Sequence, residues 1–182
     1  MNDLFKETAI EGCFTFKNSL FQDQRGSFTK MYSSEIFKSL GLNIPVAEVF
    51  FSNSHKNVVR GMHFQTPPHD HAKIVSCISG RVLDVVLDLR KSSPSYGQAI
   101  GMELTALNET TLFIPKGCAH GFYTYEDNSI ICYIVETHHH KDSDQGVLWN
   151  SFGFKWPGEQ VILSNRDLQF PKFQDFVNPF KG

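Results

Sequence analysis

No apolar stretch of the chain approaches the roughly 20 residues of a membrane-spanning helix, so no membrane span is expected. The opening Met1-Asn2-Asp3-Leu4-Phe5-Lys6 lacks the apolar core of a secretion signal. Cysteine is sparse: Cys13, Cys77, Cys118 and Cys132 are scattered, with no CxxC pair. Three of the four sit in apolar surroundings, so buried free thiols in a reducing cytoplasm are expected. No Lys/Arg-rich run occurs and the formal charge is −2, which weighs against a nucleic-acid partner. A small anionic ligand needs only a few well-placed cations and stays open. There is no internal repeat, low-complexity segment or linker. At 182 residues the chain reads as one domain, 1–182, with a Pro- and Phe-rich tail from Trp156 expected to wrap the body or a neighbouring subunit.

What is present is apolar and aromatic. The chain is 41% hydrophobic, with 17 Phe against 2 Trp, enough for a real core. Residues 8–33 read as short strands with a turn at Asp23-Gln24-Arg25-Gly26. Ser34 to Gly41 reads as a short helix, capped by Ser34 and stopped by Gly41. Further strands are predicted at Val46–Phe51, Lys73–Ser79, Arg81–Leu89, Ala99–Leu104, Thr110–Ile114, Gly121–Tyr125, Ser129–Thr137 and Gly146–Asn150. Short strands with turns about every ten residues predict an all-β antiparallel barrel, a jelly roll with a few short helices.

The densest chemistry lies in Arg60-Gly61-Met62-His63-Phe64-Gln65-Thr66-Pro67-Pro68-His69-Asp70-His71-Ala72-Lys73. Pro67-Pro68 ends one strand, so His63 is carried in and Lys73 out. Ser79-Gly80 reads as a two-residue hairpin loop. Paired positions would then sum to about 159, with Lys73 facing Val86 and Asp84 diagonal to it on one face. Such a pair is either an ordinary surface pair or a buried pair with work to do. In Pro115-Lys116-Gly117-Cys118-Ala119-His120, the spacing places His120 at a strand start after a tight turn. It suits a structural turn residue or a pocket residue. Tyr133, amid Ile131, Cys132, Ile134 and Val135, suits a core tyrosine or an acid. Strict alternation sets Arg60 and His63 on opposite faces, unless Gly61 marks a bulge that re-aims one of them.

The histidines invite a metal reading. Metal-binding cupins resemble HxH followed three or four residues later by Glu. Here His69-Asp70-His71 is followed by Ala72, Lys73, Ile74 and Val75: the carboxylate is missing and a lysine, hostile to a bound cation, is close by. No metal site is expected.

The ordered motifs carry a resemblance. They are Asp23-x-Arg25-Gly26-x-Phe28, Arg60-Gly61-Met62-His63-Phe64-Gln65-x-Pro67-Pro68, Lys73-Ile74-Val75 and Asp84-Val85-x-x-Asp88-Leu89-Arg90. After these come Ser93-Pro94-x-Tyr96-Gly97, Ile114-Pro115-x-Gly117-x-Ala119-His120-Gly121-Phe122, Trp156-Pro157 and Ile162-Leu163-Ser164-x-x-Asp167. From about residue 8 to 170 the chain resembles the dTDP-4-dehydrorhamnose 3,5-epimerase family. The resemblance implies a cupin jelly roll, a homodimer exchanging N-terminal strands, a nucleotide-linked 4-keto-6-deoxy sugar as substrate, and no cofactor. It implies His63 as general base, Tyr133 as general acid, Asp167 as partner of the base, and Lys73 and His120 lining the sugar pocket. Arg25 and Arg60 match diphosphate contacts, and Phe21 and Phe28 match aromatics that meet the nucleotide. Glu48, Gln65, Asp84 and His139 complete the implied substrate-binding set.

The chemistry agrees with these roles. A C4 ketone acidifies the protons on C3 and C5. Epimerisation needs a base on one face of the sugar and a donor on the other. A histidine held in one tautomer by a carboxylate suits the first task, a tyrosine the second, and a lysine beside the enolate oxygen stabilises the intermediate. The chain departs from the common pattern at Glu48 (usually Gln), Phe50 (Asn), Lys30 (Glu), His71 (Gln) and His139 (near a second Tyr). These positions surround the acid–base set. They leave open the nucleotide (dTDP, GDP or CDP), hexose or heptose, and inversion at C3, C5 or both. The alternatives are a 3,4-ketoisomerase, a metal-dependent cupin oxygenase and a non-catalytic sugar-binding cupin. Retention of both His63 and Tyr133 speaks against the last.

Overall fold

The computed structural model describes residues 5–180. Its strands are β1 (Phe5–Glu7), β2 (Phe14–Lys17), β3 (Ser19–Asp23), β4 (Gly26–Lys30), β5 (Glu48–Ser54), β6 (Val59–Gln65), β7 (Lys73–Ser79), β8 (Arg81–Asp88), β9 (Ala99–Thr105), β10 (Thr110–Ile114), β11 (Cys118–Thr124), β12 (Ser129–Val135) and β13 (Asp144–Gly146). Two short helices, α1 (Ser34–Ser39) and α2 (Asn165–Leu168), accompany them. One sheet has the order β1-β2-β10-β7-β12-β5, the facing one β13-β6-β11-β8-β9, and β3 and β4 form a separate hairpin. Every pairing between these strands is antiparallel. This is the expected all-β jelly-roll barrel.

Three apolar layers hold it. Between the sheets lie Val75, Cys77, Val82, Val86, Leu104, Leu112, Phe122 and Ile131, drawn from strands of both. Alternation turns the intervening residues outward, and these outer faces are apolar too. On the five-stranded sheet Met62, Phe64, Val85 and Leu87 are covered by Phe152, Phe154, Trp156, Phe173, Phe176 and Phe180. On the six-stranded sheet Phe16, Ile74, Phe113 and Ile134 meet Phe37 of α1. The abundance of phenylalanine is thus spent largely on the outer covers, where flat rings bury much area over a twisted sheet.

Several expectations are corrected. Lys73–Ser79 and Arg81–Leu89 are not a hairpin: β7 pairs with β10 and β12, while β8 pairs with β11 and β9. Gly80 takes φ +73°, and the chain crosses there from one sheet to the other. A short turn between two apolar runs looks the same in sequence whichever route it takes. Lys73 consequently has Ile114 and Val135 as ladder neighbours, not Val86. Ser33, not Ser34, stands at the N-cap of α1, and its side chain makes no capping bond. Gly146–Asn150 is not a strand. Only Asp144–Gly146 pairs, on the edge of β6, and then the chain turns away.

The feature that positions the site is a bulge in β6. His63 pairs with His120 and Arg60 with Phe122, so three steps on β6 oppose two on β11. Gly61 takes φ +145° there, and a Cβ on it would lie 2.6 Å from Gly121 Cα. Only glycine tolerates both conditions. The extra residue brings Arg60 and His63 to the same cavity, resolving their conflict under strict alternation.

Candidate active site

A cavity of about 280 Å³ opens at one end of the barrel. β6 supplies Arg60, His63 and Gln65, β7 Lys73, β11 His120, β12 Tyr133, and β5 Glu48, Phe50 and Ser52. His63 and Tyr133 therefore belong to opposite sheets and look into the cavity from opposite walls.

His63 is held by a carboxylate from far along the chain. Its Nε2 lies 3.0 Å from Asp167 Oδ1. Asp167 sits on α2, where the Ser164 hydroxyl accepts from the Asp167 N–H and caps the turn. The second carboxylate oxygen accepts from the Gly61 N–H at 3.2 Å. Burial works to raise the Asp167 carboxyl. The bonds and charge from His63 and the Gly61 N–H outweigh it and hold the carboxyl down to about 2. Burial lowers the His63 imidazole below its ordinary value, against the pull of Asp167. The pair at neutral pH is thus a carboxylate and a neutral imidazole. A proton on Nε2 leaves the lone pair on Nδ1, the arrangement a general base needs.

Lys73 reaches across from the other sheet, its ammonium donating to the His63 carbonyl at 3.3 Å. Burial lowers it to about 8, partly offset by Asp144 and Asp84. Below that pH it keeps its charge. It does not form the expected pair with Asp84. Both oxygens of Asp84 are taken by His120 Nε2, at 3.0 and 2.8 Å. Asp84 lies fully buried behind the wall, so it orients His120 and does not itself line the cavity.

Tyr133 is buried, and burial pushes its phenol well above the ordinary value, keeping the proton on the oxygen. Its ring stacks on Phe50 and meets His120 edge-on. Gln65 is a spacer: its amide donates to the His69 carbonyl at 2.8 Å and its oxygen accepts from the His140 N–H at 2.6 Å. Glu48 accepts from the His139 N–H and pairs with His138 Nδ1 at 3.2 Å, and the latter contact chiefly keeps it ionised. His139 Nε2 lies 3.2 Å from Asp144. His71, lowered to about 4 by burial and then by Lys73 and Lys116, is a neutral member of the wall.

Arg25, Phe21 and Phe28 stand elsewhere. Phe21 faces Phe28 across the β3–β4 hairpin, both about 60% exposed, and Arg25 is occupied by Asp23 at 2.6 Å. None lines the cavity of its own chain. Sequence reasoning missed Arg166 and Asp144. Arg166 donates to Asp144 at 2.6 Å and to Asp167 at 3.3 Å, tying the partner of His63 to the cavity rim. Its place beside Asp167 in a capped turn was the available signal. Asp144 had none. Among the described residues no cluster of three or more His, Cys, Asp or Glu side chains is arranged to hold a metal ion.

The jelly roll thus brings to one cavity a neutral His–Asp pair on one sheet and, on the other, a protonated tyrosine and a lysine. A family profile described as dTDP-4-dehydrorhamnose 3,5-epimerase matches residues 7–175. The Salmonella typhimurium enzyme of that name is 37% identical over 169 residues, 91% of this chain and 92% of its own. The Shigella flexneri one is 35% identical over 172 residues, covering 93% and 95%. A crystal structure of dTDP-6-deoxy-D-glucose-3,5-epimerase from Legionella pneumophila, in complex with dTDP-4-keto-L-rhamnose, superposes with a TM-score of 0.91 at 30% identity, covering 95% of this chain and 94% of that one. The chain belongs to the dTDP-4-dehydrorhamnose 3,5-epimerase family and is an epimerase of nucleotide-sugar chemistry.

Proposed function

We propose that the protein inverts C3 and C5 of a dTDP-linked 4-keto-6-deoxy hexose through an enolate, without a cofactor. The observation that carries this reading is the placement of His63 and Tyr133 on facing sheets of one cavity. A sugar ring lying between them presents one face to the base and the other to the acid. Neutral His63 takes the proton next to the ketone. Lys73, charged below about pH 8, stabilises the enolate oxygen. Tyr133 returns a proton to the opposite face. Arg60 and Arg166 at the cavity rim offer the cations that a diphosphate requires.

The β3–β4 hairpin supports the rest of the reading. Two exposed phenylalanines and an arginine on a hairpin remote from their own cavity form a stacking and phosphate-binding element without a site. In a homodimer exchanging N-terminal strands, that hairpin completes the nucleotide subsite of the second copy. The whole chain then works as one catalytic domain, in the cytoplasm, in the biosynthesis of a surface-polysaccharide sugar. The four cysteines are free, as a reducing compartment would keep them. No helix among the described residues is long and apolar enough to cross a membrane.

Incubation with dTDP-, GDP- and CDP-4-keto-6-deoxy-D-glucose, followed by reduction and sugar analysis, tests the reading. It predicts L-rhamnose-configured product from the dTDP sugar. A product with its carbonyl moved to C3 and no inverted centre would reject it.

A further inference from the structure

β5 turns alternate residues, Glu48, Phe50 and Ser52, toward the cavity. Phe50 lies directly opposite Tyr133 in the β5–β12 register. The two rings stack with centroids 4.9 Å apart and planes 19° apart. From another side the edge of His120 meets the same phenol ring, at 5.9 Å and 71°. Phe50 is 46% exposed, so it is not a core residue kept for packing. Next along the same face, the buried Ser52 hydroxyl lies against the Tyr133 phenol and opposes, less strongly, the effect of burial on it.

We propose that Phe50 is a positioning residue for the Tyr133 acid. Its ring clamps the phenol between two aromatic neighbours and keeps water from the hydroxyl, so the enolate carbon is protonated by the phenol and not by solvent. The inference rests on the epimerase reading above. In the step concerned the phenol O–H bond breaks and a C–H bond forms on the sugar. The negative charge passes from the enolate to the phenolate oxygen, beside the Ser52 hydroxyl. After the product leaves, solvent returns a proton to the phenolate and takes from His63 the proton it removed from the sugar. Aromatic stacks of this kind shift an equilibrium by roughly two- to tenfold, which sets the size of effect sought.

The test uses Phe50→Leu, Phe50→Asn and Phe50→Tyr in the full-length enzyme. Solvent deuterium incorporation and formation of inverted product are followed together in heavy water. Separately, the tyrosinate absorbance of substrate-free protein is titrated against Tyr133→Phe, which isolates one phenol among five tyrosines. The proposal predicts that Phe50→Leu, at saturating substrate, keeps its deuterium incorporation. Its ratio of inversion to incorporation falls roughly two- to tenfold, and the Tyr133 titration moves down toward the ordinary value of about 10. Phe50→Asn goes further the same way, and Phe50→Tyr, which keeps the ring, restores the ratio. An unchanged ratio and titration in Phe50→Leu overturns the proposal. If the wild type incorporates no deuterium, the epimerase reading fails, and the substrate-free titration still decides whether Phe50 governs the phenol. Should Phe50→Asn not fold, the apolar Phe50→Leu carries the test alone.

Discussion

One carboxylate fixes both His63 and the bulge that presents it. Asp167 takes His63 Nε2 on one oxygen at 3.0 Å and the Gly61 N–H on the other at 3.2 Å. The orientation of His63 and the irregular backbone of β6 therefore depend on the same side chain.

Asp167→Asn keeps the volume and removes the charge. With no carboxylate to fix the tautomer, kcat/KM falls by about 10²-fold or more, while KM changes little. The pH profile carries the sharper sign. A carboxylate favours the protonated imidazole, so it holds His63 higher than burial alone would. In Asp167→Asn the acid limb of kcat/KM, already below the ordinary histidine value of about 6.5, moves to still lower pH. An acid limb that moves upward contradicts the assignment.

Lys73→Met separates stability from activity. The folded protein holds this amine at about 8 against 10.5 when free, so below pH 8 the buried charge costs stability. Between those values the unfolded chain keeps a proton that the folded chain has lost, and stability rises with pH. Lys73→Met gives a higher melting temperature at pH 7, and its advantage shrinks from pH 8 to 10.5. Proton exchange on the sugar falls about 10²-fold, the scale of one lost oxyanion donor. Thermal melts across that pH range, beside the exchange rate, check both halves.

Gly61→Ala tests the bulge. A methyl group there would lie 2.6 Å from Gly121 Cα, on a backbone with φ +145°. Backbone strain of this kind costs about 1–3 kcal/mol, and the clash adds to it. Urea unfolding shows a lowered midpoint, and any folded fraction has lost activity because Arg60 and His63 no longer share a cavity. A midpoint equal to wild type places the bulge elsewhere.

Much of this was legible in the sequence, for reasons that show where such reading stops. Motif spacing pointed to His63, Lys73, His120 and Tyr133, and they do meet in one cavity. The conflict between Arg60 and His63 was visible, with Gly61 as its remedy. The Ser79-Gly80 turn was misread because local patterning fixes which residues are apolar, not which sheet a strand joins. Asp84 was placed against Lys73 for that reason, when its true partner, His120, lies on the adjacent strand β11. Asp144 and the stack of Phe50 on Tyr133 left no local trace, because the first contact joins segments far apart in the chain and the second rests on the pairing of β5 with β12, strands far apart in sequence.

Tyr133→Phe removes only the hydroxyl, so packing and ligand binding persist. Its burial keeps the phenol protonated, and a positioned acid is worth about 10²–10⁴-fold. The mutant still exchanges a sugar proton for deuterium but forms inverted product slower by that factor. Epimerisation at the wild-type rate would make Tyr133 a core tyrosine and send the search to another donor, such as His139.

The most direct test of the whole account follows deuterium into C3 and C5 of dTDP-4-keto-6-deoxy-D-glucose by NMR, in heavy water, for wild type and His63→Asn. The account predicts incorporation with inversion by the wild type, and neither incorporation nor inversion by His63→Asn, although it still binds the nucleotide. Deuterium entering C3 at an undiminished rate in His63→Asn would show that the proton is taken by another group.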